Sequence, residues 1–186
     1  MYPMGKLPVP MPPPGEMLRR RQAQRQRSCS IQKLLGLLFL TAGVLILVFS
    51  RFLMLYRNRG LGMLPTANDG DFLLALRLVE EWEKDDMVVF RYGGELQLGR
   101  IVATEKDEVM MDDSGSLLVN GSVRNSKTLY PTYAREKGEY PLRIPEESVY
   151  ILGDHRTQSR DSRDYGSIPV EDIMGKVIAV VRIKGL

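Results

Sequence analysis

The chain has 186 residues, 44% hydrophobic and 26% charged, which suits one globular domain with extensions. Its formal charge of +3 is unevenly split: residues 1–59 carry ten Lys/Arg and one Glu, whereas residues 60–186 carry 16 Lys/Arg and 22 Asp/Glu. The acidic balance of the larger part argues against nucleic-acid binding. The single cysteine, Cys29, excludes an intrachain disulfide, and a lone His155 without a spaced Cys/His set leaves no metal or cofactor expected.

Residues 1–14 hold six prolines among small and apolar residues, and residues 19–27 are rich in Arg and Gln. Residues 1–30 therefore read as a disordered, Pro/Arg-rich tail. The basic run reads as a topology signal that also touches anionic lipid, with an SH3-type ligand as the alternative. Cys29 is open between a lipidation site and an inert thiol.

Leu34 to Ser50 is apolar except for Thr41 and Ser50, and after Arg51 the run resumes to Tyr56. A span needs about 20 apolar residues, so residues 31–57 are expected to form one uncleaved transmembrane helix, with Arg51 snorkelling to the headgroups. The stretch is apolar on all faces, unlike a core helix, and the residues before it are too many for a signal-peptide n-region. Arg19, Arg20, Arg21, Arg25, Arg27 and Lys33 precede it, against Arg51, Arg57 and Arg59 after it. The positive-inside rule then places the N-terminus in the cytoplasm and residues 60–186 outside the cell membrane.

Beyond the span, short apolar runs separated by turn residues point to a mainly β domain, an antiparallel sheet system or barrel. Asp71–Leu78 could be strand or helix. Met87–Phe90 and Leu96–Ala103 read as a hairpin around Arg91–Glu95. Val109–Met111, Leu117–Val119, Val149–Leu152 and Lys176–Ile183 read as further strands, and Asn120-Gly121 is a tight-turn signal. Residues 124–147 look like a polar excursion from the sheet.

Three segments carry the chemistry. The first is Gly62-Met63-Leu64-Pro65-Thr66, followed by Gly70-Asp71. The second is Leu98-Gly99-Arg100-Ile101-Val102, with Asp107 downstream. The third runs from Gly153 to Gly166 and includes Asp154, Arg156, Ser159, Asp161, Ser162 and Arg163. On their own these residues read as a charged loop whose Asp–Arg pairs either face solvent or fix its shape, with a phosphorylated Ser–Arg tract as a further reading.

In that order the three segments resemble type I signal peptidases over roughly residues 35–186. The family's patterns are Ser-Met-x-Pro-Thr then Gly-Asp, Val-Lys-Arg-Val-Ile, and Gly-Asp-Asn-Arg-x-x-Ser-x-Asp-Ser-Arg-x-x-Gly, from which His155 departs. The resemblance implies a signal-peptidase-like β domain behind one membrane helix. It places the nucleophile position at Gly62, the base position at Gly99 and an oxyanion-helper position at Gly60. Glycine offers no hydroxyl and no amine, so no residue here is expected to be catalytic. Ser159 matches the serine that orients the family's lysine, and Asp161 the carboxylate that supports the loop. Thr66 belongs to the motif in active members too, and His155 is not at the base position. Losing both members of a catalytic unit costs about 10⁶-fold in rate by analogy with serine proteases.

The resemblance is nearest to the non-catalytic signal-peptidase-like proteins of sortase-assembled pili in Gram-positive bacteria. It implies an accessory or chaperone-like role in pilus or surface-protein assembly, with pilin subunits or a pilus sortase as partners beside the lipid bilayer. Asp71–Leu78 and Leu96–Ala103 are expected to flank a peptide groove. The alternatives are an active signal peptidase using non-standard residues, which removes signal peptides during protein secretion, and a scaffold without groove function. If the frame is kept, Gly62→Ser with Gly99→Lys is expected to restore weak cleavage.

Overall fold

In a computed structural model, residues 14–124, 130–135 and 139–182 are described. The chain divides into two compact units, Met1–Val48 and Phe49–Leu186.

Helix α1 covers Pro14–Phe52, 39 residues. Residues 14–30, expected to be disordered, are helical. Proline is well tolerated in the first turn of a helix, and the Arg/Gln/Ala run that follows consists of strong helix formers. Residues 1–13 lie outside the described residues. Ile31–Phe52 is the one described segment long and apolar enough to cross a membrane, and its 22 residues give about 33 Å at the usual helical rise. Its large side chains are exposed, Phe39 by 74% and Leu47 by 71%.

The helix stops sooner than expected. Leu53–Arg57, read as the end of the span, is instead strand β1. It pairs with β2 (Phe72–Leu76), Leu53 opposite Leu76 and Arg57 opposite Phe72. Residue alternation explains the switch: Met54 is buried in the sheet core while Leu55 is 65% exposed, the period-two pattern of a strand.

The remaining strands are β3 (Met87–Tyr92), β4 (Glu95–Ala103), β5 (Glu108–Met111), β6 (Leu117–Val119), β7 (Ser122–Val123), β8 (Leu142–Arg143), β9 (Ser148–Leu152), β10 (Ile168–Pro169) and β11 (Ile173–Val181). One sheet runs β1-β2-β11-β3-β4-β9-β10 and a second runs β7-β6-β5-β8, with every pairing antiparallel. The mainly antiparallel β class read from the sequence is therefore observed. Asp71–Leu78 resolves as strand, since Leu73 and Ala75 are wholly buried while Phe72 and Leu74 are half-buried. Asn120 and Gly121 have φ of 52° and 74° and close the β6–β7 hairpin, a left-handed pair that Asn-Gly tolerates best. The polar excursion contains β8, which pairs with β5; residues 125–129 and 136–138 of it lie outside the described residues.

Two cores hold the first sheet to its surroundings on the side that matters for the site. Val88, Phe90, Ile101, Val149, Ile151, Ile168 and Ile173 form one. Met63, Ala67 and Leu73, with Tyr56 and Leu98 against them, form another. The second core anchors the loop after β1, because Met63 is only 2% exposed.

Candidate functional site

The three sequence segments converge. Arg100 on β4 grips Asp154 with two parallel bonds, Nε to Oδ1 at 2.8 Å and Nη2 to Oδ2 at 2.7 Å. The Thr66 hydroxyl donates to the same Asp154 carboxylate. Arg100 Nη1 reaches the Asp85 carbonyl at 2.8 Å. Thus one residue from each segment meets in a buried bidentate pair, the strong geometry for guanidinium and carboxylate. Hydrogen bonding to Asp154 raises the Arg100 guanidinium above its ordinary value, although burial opposes this.

The Gly153–Gly166 loop is fixed from within. Asp161 caps α2 (Ser162–Tyr165), accepting from the Arg163 amide in a reciprocal capping box with Asp164. Its carboxylate also takes the Arg163 Nε at 2.9 Å, the Gly153 amide at 3.1 Å and the Ser159 hydroxyl at 2.6 Å. Arg156 donates to the Gly153 carbonyl at 2.9 Å and to Thr132 Oγ1 at 2.6 Å. Burial pushes the Arg156 guanidinium down to about 10, so it stays charged at neutral pH. The Ser162 hydroxyl accepts from the Ile151 amide at 2.9 Å, tying the loop to β9. The loop is a shape-fixing knot: Asp154, Arg156, Asp161 and Arg163 are each at most 4% exposed.

Gly62 lies against this knot. Its carbonyl accepts from the His155 amide at 2.9 Å. A Cβ on Gly153 would fall 2.2 Å from Ser159 Cβ and 2.6 Å from the Gly62 carbonyl, so only glycine lets the two segments approach so closely. The same contact places Ser159 beside Gly62: a Cβ on Gly62 would sit 3.3 Å from Ser159 Cα and Cβ. The Ser159 hydroxyl spends its proton on Asp161 and accepts from Arg163 at 3.1 Å.

Gly60 has φ of +94°, with open space where a Cβ would stand. A serine there would adopt a left-handed backbone at a cost of about 1–2 kcal/mol. Gly70, at φ +84°, similarly turns the chain before Asp71, whose carboxylate receives the Asn68 amide at 2.9 Å. Pro65 and Gly166 flank the site as parts of the loops already described, Gly166 ending α2 at φ +82°.

Gly99 differs from Gly60 and Gly62. Its missing side chain points at the core rather than into open space: a Cβ would stand 2.3 Å from Ile151 Cγ2, 3.3 Å from Phe90 Cε1 and 3.5 Å from the Leu152 carbonyl. Ile151 is wholly buried on β9. Gly99 therefore adds no width to the groove, because a β-branched neighbour fills the space beside it.

A groove of about 620 Å³ opens beside Gly60 and Gly62. One wall is the end of β1 and the loop Asn58–Met63, another is Glu95–Leu98 of β4, and Gln158–Arg160 closes it. Leu96–Ala103 was expected to flank a groove and its first three residues do so. Asp71–Leu78 does not, because β2 lies inside the sheet between β1 and β11. The Tyr56 hydroxyl donates to the Leu96 carbonyl at 3.2 Å, and burial raises this phenol above its usual value, with Arg59 opposing.

Sequence reasoning missed two residues of the site. Arg135, in the polar excursion, donates to the Ser159 carbonyl at 2.6 Å and pairs with Asp164. Ile151 fills the space beside Gly99. A basic residue in a polar stretch and an isoleucine in a strand carry no local signal; only the register of β9 on β4 brings Ile151 to Gly99. Asp107 is placed as a structural anchor, collecting the Thr104 amide at 2.8 Å, Lys84 at 2.9 Å and Asn120 at 2.7 Å. No group of His, Cys, Asp and Glu among the described residues is arranged to hold a metal ion.

Comparison with known proteins places this geometry. Residues 31–182 match the family described as signal peptidase, peptidase S26. The chain is 31% identical over 132 residues to thylakoidal processing peptidase 1 of Arabidopsis thaliana, covering 62% of this chain and 38% of that protein. Signal peptidase I of Bacillus caldolyticus is 27% identical over 146 residues, covering 70% and 78%. A protein named inactive signal peptidase IA, from Staphylococcus aureus, is 26% identical over 129 residues, covering 62% and 71%. The chain thus spans well under half the length of the Arabidopsis relative.

Proposed function

The chain belongs to the signal peptidase family S26, and from that premise we propose that it is a membrane-anchored member that holds extended peptide segments without cleaving them. The observation that carries this reading is the pairing of an intact frame with an empty dyad. Thr66, Arg100 and Asp154 interlock, the Asp161 knot is complete, and a groove opens at Gly62. Yet positions 60, 62 and 99 are all glycine, so no side chain there can attack a carbonyl or take a proton. Ser159 does not substitute: it is 5% exposed and bonded to a carboxylate whose lone pairs Arg163 already occupies. The relative named inactive supports the reading that this frame is used without hydrolysis.

The groove has an edge suited to an added strand. The two-residue turn makes Tyr92–Glu95 a hydrogen-bonded pair, so Leu96 and Leu98 turn their backbone groups away from β3. Strand β9 pairs with β4 only from Arg100 onward, leaving that edge without a strand partner among the described residues. Main-chain pairing at such an edge supplies affinity without chemistry. The N-terminus lies in the cytoplasm, the helix crosses once, and the β domain faces outward, following the basic residues before Ile31. The clients are surface proteins under assembly, pilin subunits or their sortase being the first to try.

The test uses the full chain in lipid nanodiscs. Incubation with a preprotein leaves it uncut, while fluorescent peptides from candidate clients bind. Specific cleavage lost in Ser159→Ala would overturn the non-catalytic reading, and failure of every peptide to bind would overturn the peptide-holding one.

A further inference from the structure

The groove at Gly62 carries a charge pattern opposite to that of its domain. Residues 60–186 hold 16 Lys/Arg and 22 Asp/Glu. The groove lining, in contrast, has three arginines, Arg57, Arg59 and Arg160, against the single carboxylate of Glu95. All three arginines are exposed. None is ion-paired with a described residue, whereas Arg100, Arg124, Arg135, Arg163 and Arg182 all have carboxylate partners. The acidic residues of the neighbouring loops are engaged elsewhere: Asp69 accepts from the Gly60 amide at 2.7 Å, Asp71 from the Asn68 amide at 2.9 Å, and Asp164 from Arg135.

Two of the three arginines also lie over aromatic rings. The Arg57 guanidinium lies 5.9 Å from the Phe72 ring centroid and that of Arg160 lies 5.8 Å from the ring of Tyr165. Stacking on a ring leaves the guanidinium's in-plane donors available to a carboxylate. The three come from separate places: the end of β1, the loop after it, and the Gly153–Gly166 loop. A ligand that meets all three must lie along the groove, as an extended peptide does.

We propose that this groove selects extended peptides bearing carboxylate side chains, with Arg57, Arg59 and Arg160 as the specificity-determining residues. The inference rests on the peptide-holding reading above and adds its substrate class. Unpaired cations at a groove rim favour an acidic strand over a neutral one and repel a basic one. Each exposed pair contributes modestly, so three together give about a tenfold preference at low salt. Screening removes most of it at high salt.

The experiment compares peptides of one length and backbone that carry Glu, Gln or Lys at alternate positions, bound to the full chain in zwitterionic nanodiscs. The Glu peptide is expected to bind about tenfold more tightly than the Gln peptide at low salt. The triple variant Arg57→Gln/Arg59→Gln/Arg160→Gln is expected to lose that preference, bringing the Glu and Gln peptides to about equal affinity. Equal binding of Glu and Gln peptides by the unmodified chain overturns the inference and leaves peptide holding intact. Binding of no peptide overturns the peptide-holding reading itself. A triple variant that keeps the preference for the Glu peptide also overturns the inference.

Discussion

Placing a lysine at Gly99 tests whether the space beside this glycine is open or occupied core. A Cβ there would stand 2.3 Å from Ile151 Cγ2. Ordinary carbon–carbon contact is about 3.5–4.0 Å, so the shortfall is over an ångström before the rest of the side chain is counted. Ile151 cannot yield easily, because its γ-branch is stiff and it packs among Val88, Phe90 and Ile101. Overpacking of this kind costs about 1–3 kcal/mol, and an ammonium brought among these side chains adds desolvation. Gly62→Ser is milder, since a 3.3 Å contact with Ser159 needs only a few tenths of an ångström of relief. The pair Gly62→Ser/Gly99→Lys is therefore expected to melt lower by about 5–15 °C and to leave a preprotein uncut. This revises the expectation that the two changes alone restore cleavage. Adding Ile151→Ala removes the blocking methyl, so Gly99→Lys and Ile151→Ala should couple favourably by about 1 kcal/mol or more in a double-mutant cycle. Weak cleavage should appear only in the triple variant. Ile151→Val, which keeps both γ-carbons, should rescue neither property. Thermal melts in detergent and gel-based cleavage of a preprotein read both outcomes. Cleavage by the double variant with Ile151 intact, or zero coupling with Ile151→Ala, would refute the argument that Ile151 blocks a side chain at position 99.

Arg100→Ala strands the Asp154 carboxylate, which is 1% exposed, and should destabilise the domain by about 3–5 kcal/mol in denaturant unfolding. Gly153→Ala pushes a methyl to 2.2 Å from Ser159 Cβ and is expected to cost about 1–3 kcal/mol by the same assay, with peptide binding weakened because the Gly62 segment must move. Burial alone would raise the carboxyls of Asp107 and Asp164. Hydrogen bonds from Thr104, Lys84 and Asn120 to the first, and from Arg135 and the Asp161 amide to the second, outweigh it and hold both below the ordinary value. Their stabilisation is thus complete above the unfolded carboxylate value of about 3.9 and is lost as pH falls through the lower folded values. Acid melting curves should steepen below about pH 4, and Asp107→Asn should flatten that slope while lowering stability at neutral pH.

Much of the site was legible in the linear chain because its logic is local. The Gly153–Gly166 stretch caps and bonds itself through Asp161, Arg163 and Ser159, all within a few residues of one another. The Asn120-Gly121 turn was equally plain, since a left-handed pair constrains residue type directly. The end of the helix was not, because Leu53–Arg57 is as apolar as the helix before it and becomes a strand only by pairing with β2. Residues 14–30 misled in the other direction: a Pro-rich neighbourhood suggested disorder where helix formers prevail.

The linear order of residues, by itself, determined the apolar helix, the β class, the three converging segments and the absence of side chains at positions 60, 62 and 99, since each is a matter of residue type and spacing. Only the tertiary structure decided what those absences mean. Gly60 and Gly62 open onto a groove, while Gly99 faces a core that Ile151 has filled. The difference arises from strand register, which sets the direction of every side chain across β4 and β9 and is invisible until the strands are paired. The tertiary structure also gathers Arg57, Arg59 and Arg160 along one groove with no ion-pair partner among the described residues, a charge pattern that no count of residues in an acidic domain contains.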